Sequence, residues 1–163
     1  LLRVDLTYAR LSGANLTEVN LTHAHLAGAD LSGAILNDAN LSHTDLTGAD
    51  LTYAHLLRAN LNANLYSANL SRADLTEADL SGANLASADL TEADLSGANL
   101  DRVDLNEAYF NNVDAKKKPF YCQLCSMQIQ VIATYDIMVE HNKRVHDMTD
   151  EDAETLAKAT LRS

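Results

Sequence analysis

The fold is decided by the repeating stretch ANLASADLTEADLSGANL, residues 83–100. Leu stands at every fifth position of this stretch, and Ala stands two residues before each Leu. The residue just before each Leu is Asp or Asn. A period of five matches neither the 3.6-residue helix nor the two-residue strand, so neither element in a straight form would place these leucines on one face. The pattern therefore predicts a chain that bends regularly.

The same period runs through most of the chain. Leu recurs every fifth residue from Leu1 to Leu61, and after one four-residue step it continues from Leu65 to Leu105, with Phe110 closing the series. All six Gly fall two residues after a Leu, where a glycine reaches positive φ without steric cost. A locally extended chain that bends once per repeat directs Leu and Ala inward and the polar residues outward. This predicts a solenoid whose stability is roughly additive over neighbouring coils.

These motifs resemble the pentapeptide-repeat family, whose pattern is A-(D/N)-L-x-x. The sequence ADLSGANL at 78–85 matches that pattern closely, and the resemblance covers residues 1 to about 112. It implies an all-β fold, a right-handed quadrilateral β-helix with four repeats per turn, which we assign to residues 1–114. If four repeats make one coil, residues 20 apart stack on one face, and the offset becomes 19 across the four-residue step.

Composition and charge exclude several classes of protein. The 163 residues are 47% hydrophobic but only 5% aromatic, with no Trp, which favours a thin Leu/Ala core. The net charge is −11 with a pI of about 4.7, which argues against binding of nucleic acid or anionic membranes by the chain as a whole. No apolar run is long enough for a membrane span and no signal-peptide pattern is present. The chain opens on Leu in mid-pattern, so we expect a fragment or a processed chain.

The 20-residue offset predicts columns of stacked polar residues. One column is expected to be an amide ladder, formed by Asn20, Asn40, Asn60, Asp79 and Asn99. An acidic face is expected from Asp30, Asp50, Asp74, Asp89 and Asp94, either as a solvated surface or as a surface that meets a basic partner. His23 and His43 are expected to stack on one corner, as surface residues in preference to metal ligands. The step at residues 61–65 is either a tightened corner or a bend.

The C-terminal region has a different character. Residues 1–114 carry 16 acidic and five basic residues, whereas residues 115–163 carry seven of each. After Lys116–Lys118 the spacing C-x2-C-x15-H-x4-H suits a structural Zn²⁺ held by Cys122, Cys125, His141 and His146. The alternative is two free thiols and two surface histidines. Residues 115–148 resemble a two-Cys, two-His zinc finger, with features of the U1/matrin-type branch, which implies a small α/β module.

The last segment, residues 149–163, is predicted to form an amphipathic helix. Thr149 is a candidate N-cap with Asp152 three residues later, and Ala153 begins an apolar stripe. This helix is expected to pack on the zinc module, on the end of the solenoid or on a partner.

Three functions are compatible with this organisation. No nucleophile–base pair, phosphate loop or distinct carboxylate pair departs from the repeat, so we expect no enzymatic activity. We favour a non-catalytic protein-interaction scaffold that the zinc module docks to a larger assembly. The alternatives are a DNA mimic that binds DNA gyrase or another topoisomerase, as the family resemblance suggests, and contact of the zinc module with RNA or DNA. That contact would use the basic residues Lys116, Lys117, Lys118, Lys143 and Arg144. Free thiols and absent targeting signals favour an intracellular, reducing compartment.

Overall fold

The repeats coil into a four-sided β-helix. The computed structural model describes residues 3–109. Parallel bridges join residues 20 apart, as in Asp5–His25 and Asn64–Asn84. Each side of a coil contributes one bridged residue, and no helix or longer strand occurs within residues 3–109. The predicted register of four repeats per coil is confirmed, including the offset of 19 in the Asp45–Asn64 bridge.

The bridged residues form four walls, numbered in chain order, and the turns between them form four corners. Wall 1 contains Asp5, His25, Asp45, Asn64, Asn84 and Asp104. Wall 2 contains Arg10, Asp30, Asp50, Asn69, Asp89 and Tyr109. Wall 3 contains Asn15, Ile35, His55, Asp74 and Asp94, and wall 4 contains Asn20, Asn40, Asn60, Asp79 and Asn99. Because the chain passes the walls in this order, wall 2 lies opposite wall 4.

The core is a stack of leucines flanked by alanines, as predicted. Every repeat leucine from Leu26 to Leu90 has no solvent exposure, and the alanines two residues earlier are almost equally buried. Leu6, Leu11 and Leu16 are only partly buried, because within the described residues a coil packs against them on one side only. Thr44 takes an alanine position, and its Oγ1 donates to the carbonyl of Leu21 at 2.9 Å. The buried hydroxyl is thereby satisfied.

Each five-residue corner is a turn closed by one backbone hydrogen bond. The N–H of Ala78, for example, donates to the carbonyl of Leu75 at 3.0 Å. The third residue of the turn has positive φ, as in a type II turn. All six glycines adopt this conformation, but so do fourteen non-glycine residues, among them Tyr8, Glu77 and Ser87. Glycine is therefore not required at the bend, although an L-residue there is strained by roughly 1–2 kcal/mol.

The four-residue step removes one corner residue without interrupting the walls. At full corners, the residue with positive φ donates its N–H to a carbonyl of the next coil, as His43 does to Asn62 at 2.6 Å. At the step that residue is missing, and the side-chain Nδ2 of Asn62 donates to the carbonyl of Ser81 in its place. Wall 1 continues through the Asp45–Asn64 and Asn64–Asn84 bridges. The structure thus supports a tightened corner, in which a side chain replaces a backbone donor.

No helix in residues 3–109 has the length and hydrophobicity needed to cross a bilayer. The predicted zinc module (115–148) and terminal helix (149–163) lie outside the described residues, so both stay predictions.

Candidate interaction surface

The predicted acidic residues lie on two neighbouring walls. Asp30 and Asp50 are bridged to each other on wall 2, and Asp89 follows after Asn69. Asp74 and Asp94 are bridged on wall 3. All five side chains are half-buried. Walls 2 and 3 therefore carry stacked carboxylates, whereas wall 4 carries a single one, Asp79.

Each of these aspartates also closes its own turn. Oδ1 of Asp30 accepts hydrogen bonds from the hydroxyl of Ser32 at 2.6 Å and from its backbone N–H at 3.1 Å. The side-chain hydrogen bond from Ser32, then its backbone hydrogen bond, and the charge of Arg10 lower the pKa of Asp30 below its ordinary value. Oδ1 of Asp89 likewise accepts the N–H of Thr91 at 2.9 Å. These Asx turns were not predicted, although the recurrence of Asp or Asn two residues before Ser or Thr is the sequence signal for them.

The amide ladder forms only in part. Asn99 Nδ2 donates to Asp79 Oδ1 at 3.0 Å on wall 4. The Oδ1 atom of Asn20 instead accepts from Thr22, and that of Asn40 accepts from Ser42, within their own turns. The stacking of this column is confirmed, but most of its side-chain oxygens accept hydrogen bonds within their own corner turns instead of from the next residue of the column.

The tyrosines of the described chain border wall 2. Tyr8 is 78% exposed and Tyr66 is 46% exposed, and both lie at the corner between walls 1 and 2. Tyr53, 52% exposed, lies at the corner between walls 2 and 3, and Tyr109, 66% exposed, lies on wall 2 itself. Sequence reasoning missed this clustering, which appears when the residues are assigned to walls with the 20-residue register.

Two corners carry ion pairs between coils. Arg72 Nε donates to Glu92 Oε2 at 2.7 Å, Nη1 contacts the hydroxyl of Tyr53, and Cζ lies 5.4 Å from the centroid of the Tyr53 ring. The hydrogen bond that Arg72 donates to Glu92 is the largest cause that raises the pKa of Arg72. Arg58 forms a two-pronged pair with Asp38, at 2.8 Å for each bond, and this pair lowers the pKa of Asp38. Arg72 thus contacts both the Tyr53 ring and the Glu92 carboxylate at the corner between walls 2 and 3.

The corner between walls 4 and 1 carries the predicted histidine stack. The rings of His23 and His43 are parallel to within 12° and their centroids are 5.0 Å apart. Beside His43 the four-residue step leaves an open depression of about 490 Å³, lined also by Asn62, Asn64 and Asn84. Within residues 3–109 no three His, Cys, Asp or Glu side chains are grouped to hold a metal ion. The predicted zinc ligands Cys122, Cys125, His141 and His146, and the basic residues 116–118, 143 and 144, lie outside the described residues.

Comparison with known families agrees with the geometry. The model for pentapeptide repeats matches residues 1–38, 39–85 and 88–117, with eight copies. The chain therefore belongs to the pentapeptide-repeat family, whose members form right-handed β-helices and are generally non-catalytic structural or interaction proteins. Comparison with curated proteins returned no match.

Three solved structures illustrate the similarity. A pentapeptide repeat protein from the cyanobacterium Cyanothece 51142 is 38% identical over 63% of this chain and 64% of its own length, with a TM-score of 0.32. One from Nostoc PCC 7120 is 35% identical over 70% of this chain and 86% of its own, with a TM-score of 0.35. One from the thylakoid lumen of Arabidopsis thaliana is 25% identical over 94% and 88%, with a TM-score of 0.47. The match to the Cyanothece protein thus covers less than two thirds of that protein.

Proposed function

We propose that this protein is a non-catalytic interaction scaffold. The proposal rests on one observation: the packing and hydrogen bonding of the β-helix occupy its interior and its backbone. Leu and Ala fill the core. The backbone groups of each wall form hydrogen bonds with the neighbouring coils; for example, the N–H of Leu70 donates to the carbonyl of Asp89 at 2.7 Å. What remains for recognition is the set of side chains at fixed spacing along the walls and corners.

The surface chemistry of the described residues favours binding over catalysis. The depression beside Asn62 is open to solvent, and its lining combines His43 and Asp45 with three asparagines, so it lacks the enclosed, mostly apolar walls typical of a catalytic pocket. The aspartates recur as equivalent turn residues, and none is set apart from the others as a general acid or base. A rigid surface with repeated polar features suits a partner that spans several coils.

Photocrosslinking from each of the four corners tests the scaffold function. A benzoylphenylalanine residue would replace Ser67, Glu92, Glu18 or Arg102, one per corner, in the full chain expressed in its source cells. All four positions are exposed and have positive φ, and Tyr8 and Tyr53 already place an aromatic side chain in this conformation. We expect a discrete adduct from one corner or two adjacent corners. Absence of a discrete adduct from all four corners would refute the proposal.

DNA mimicry is the second candidate, and the stacked carboxylates favour it. Asp30 and Asp50 are bridged on wall 2, and Asp74 and Asp94 on wall 3, so negative charge repeats along the coil axis. A DNA-binding enzyme such as gyrase would recognise that repeat as it recognises phosphates. Inhibition of gyrase supercoiling at micromolar protein is the expected result. No inhibition at that concentration removes this candidate.

The predicted zinc module would dock the scaffold to a larger assembly or contact nucleic acid through Lys116–Lys118, Lys143 and Arg144. A gel shift with RNA and DNA at low salt separates these roles, because phosphate contacts strengthen as salt is lowered. A shift that disappears at high salt would support nucleic-acid contact, and no shift would support a protein contact.

A further inference from the structure

We propose that wall 2, together with its tyrosine-bearing corners, binds an extended Lys/Arg-rich segment of a protein partner. This inference deepens the proposed scaffold function and rests on it. It names one of the four walls, the chemistry of the segment that docks there, and the side chains that recognise it.

Charge is distributed unequally between opposite walls. Wall 2 carries three aspartates, Asp30, Asp50 and Asp89, within four consecutive coils and one cation, Arg10, in its first described coil, whereas wall 4 carries only Asp79. Wall 1 also carries three aspartates, but they are spread over six coils, and among the described walls only wall 2 has exposed tyrosines on both bordering corners. At a spacing of about 4.8 Å per coil, Asp30 and Asp89 lie about 14 Å apart, which four or five extended residues span. The Oδ1 atom of each aspartate accepts a bond from its own turn. The Oδ2 atoms have no hydrogen-bond partner within residues 3–109, so each is open to an external donor.

Exposed aromatic side chains border the same wall on both sides. Tyr8 and Tyr66 lie on one bordering corner and Tyr53 on the other. Between Tyr8 and Tyr66 that corner has the small residues Gly28 and Gly48, and a Cβ atom at Gly28 would clash with the Tyr8 ring. The glycine thus allows the ring to lie along the corner. Tyrosine and arginine are the residue types that most often supply binding energy at protein interfaces.

The chain itself shows how one of these rings holds a cation. The guanidinium of Arg72 lies over the Tyr53 ring at 5.4 Å while its Nε donates to Glu92. Tyr66 borders wall 2 in the coil between those of Asp50 and Asp89, so a guanidinium or ammonium from a partner would meet a ring and carboxylates there as well. A second copy of this chain is a poor occupant, since both copies carry a net charge of −11. Nucleic acid is repelled for the same reason.

The test uses the full chain and a fluorescein-labelled twelve-residue peptide of alternating Arg and Ser, with a Glu/Ser peptide as the reference. Fluorescence anisotropy at about 50 mM salt keeps surface electrostatics measurable. The wall 2 variant carries Asp30→Asn, Asp50→Asn and Asp89→Asn. The matched control carries Asp5→Asn, Asp45→Asn and Asp104→Asn on wall 1, with the same change in net charge. Asn preserves the turns, because Asn69 already accepts from Ser71 in the same geometry.

We expect the wall 2 variant to bind the Arg/Ser peptide about tenfold more weakly, and the wall 1 control less than about threefold more weakly. A second pair of variants tests the corners. Tyr8→Asn with Tyr66→Asn should weaken binding by several-fold, whereas His23→Asn with His43→Asn, on the corner between walls 4 and 1, should not. Asn is suitable because it tolerates positive φ.

Three outcomes would overturn the assignment to wall 2. These are absence of peptide binding, equal weakening by the wall 1 and wall 2 variants, and concentration-dependent self-association that the wall 2 variant abolishes. A partner crosslinked in cells that still binds the wall 2 variant would leave the scaffold function intact and refute only this inference. Absence of adducts from all four corners would refute the scaffold function itself.

Discussion

The side chain of Asn62 takes the place of a missing backbone donor, and Asn62→Ala tests that role. In the full corners of the β-helix, a residue with positive φ donates its N–H to the next coil, and at the step Asn62 Nδ2 donates to the carbonyl of Ser81 instead. Substitution by Ala leaves that carbonyl without its donor. We therefore expect the variant to be less stable than the parent protein.

The magnitude follows from the exposure of the site. An unsatisfied buried acceptor costs about 1–3 kcal/mol. Asn62 and Ser81 are half-buried, so water reaches the carbonyl in part, and the lower half of that range applies, about 1–2 kcal/mol. For a domain of this size the loss corresponds to a decrease in Tm of roughly 4–8 °C.

Thermal and urea unfolding followed by circular dichroism measure the effect, with Ser81→Ala as the matched control. That control keeps the carbonyl and removes a hydroxyl that makes no hydrogen bond among the described residues. The decisive variant inserts Gly between Asn62 and Ala63, which restores a five-residue corner. In this background the new backbone N–H replaces the amide, so Asn62→Ala should become nearly neutral. A cost no larger than that of Ser81→Ala, or one that persists after the insertion, would refute the reasoning.

Three further predictions concern the core, the turns and the zinc module. Leu75→Ala should destabilise the protein by about 2–5 kcal/mol in urea titrations, because Leu75 has no exposure, whereas the half-buried Leu57→Ala should cost far less; equal costs would contradict the assigned core. Ser32→Ala should raise the pKa of Asp30 towards its ordinary value in carboxyl ¹³C NMR titrations, and an unchanged pKa would exclude Ser32 as its cause. The Asp30 pKa is lowered by folding, so its stabilising contribution is present above the unfolded value near 4 and is lost as pH falls through the lower folded value. Cys122→Ser should lower bound zinc below one equivalent in metal analysis of the full chain, and a retained full equivalent would contradict the ligand assignment.

The coiled fold was accessible from the sequence because a five-residue repeat indicates a chain that bends once per repeat, and the resemblance to the pentapeptide-repeat family implied the register of four repeats per coil. Leucine at every fifth position, with a small residue two before it, can be buried only if the chain turns once per repeat. Given four repeats per coil, the offset of 19 across residues 61–65 followed from counting and is present in the Asp45–Asn64 bridge. The stacking of His23 on His43 followed from the same count.

Features that depend on side-chain geometry were not accessible in the same way. The glycines indicated positive φ at six bends, but not that Tyr8, Glu77 and twelve other non-glycine residues would adopt it too, in turns held by hydrogen bonds to the next coil. The donation from Asn62 to Ser81 also required coordinates, since the sequence shows only that a residue is missing. The zinc-ligand and nucleic-acid predictions for residues 115–148 concern a part of the chain that the structure does not describe.

The short corner at residues 61–65 also shows where the number of residues in the chain can change without disturbing the coils. The spacing of coils is set by hydrogen bonds along the walls, so the chain length between walls is free to change provided that each lost or added polar group finds a partner. Segments grafted at a corner would accordingly leave the neighbouring coils in register. Changes in chain length would then be confined to the corners, while the leucine stack beneath them stays unchanged.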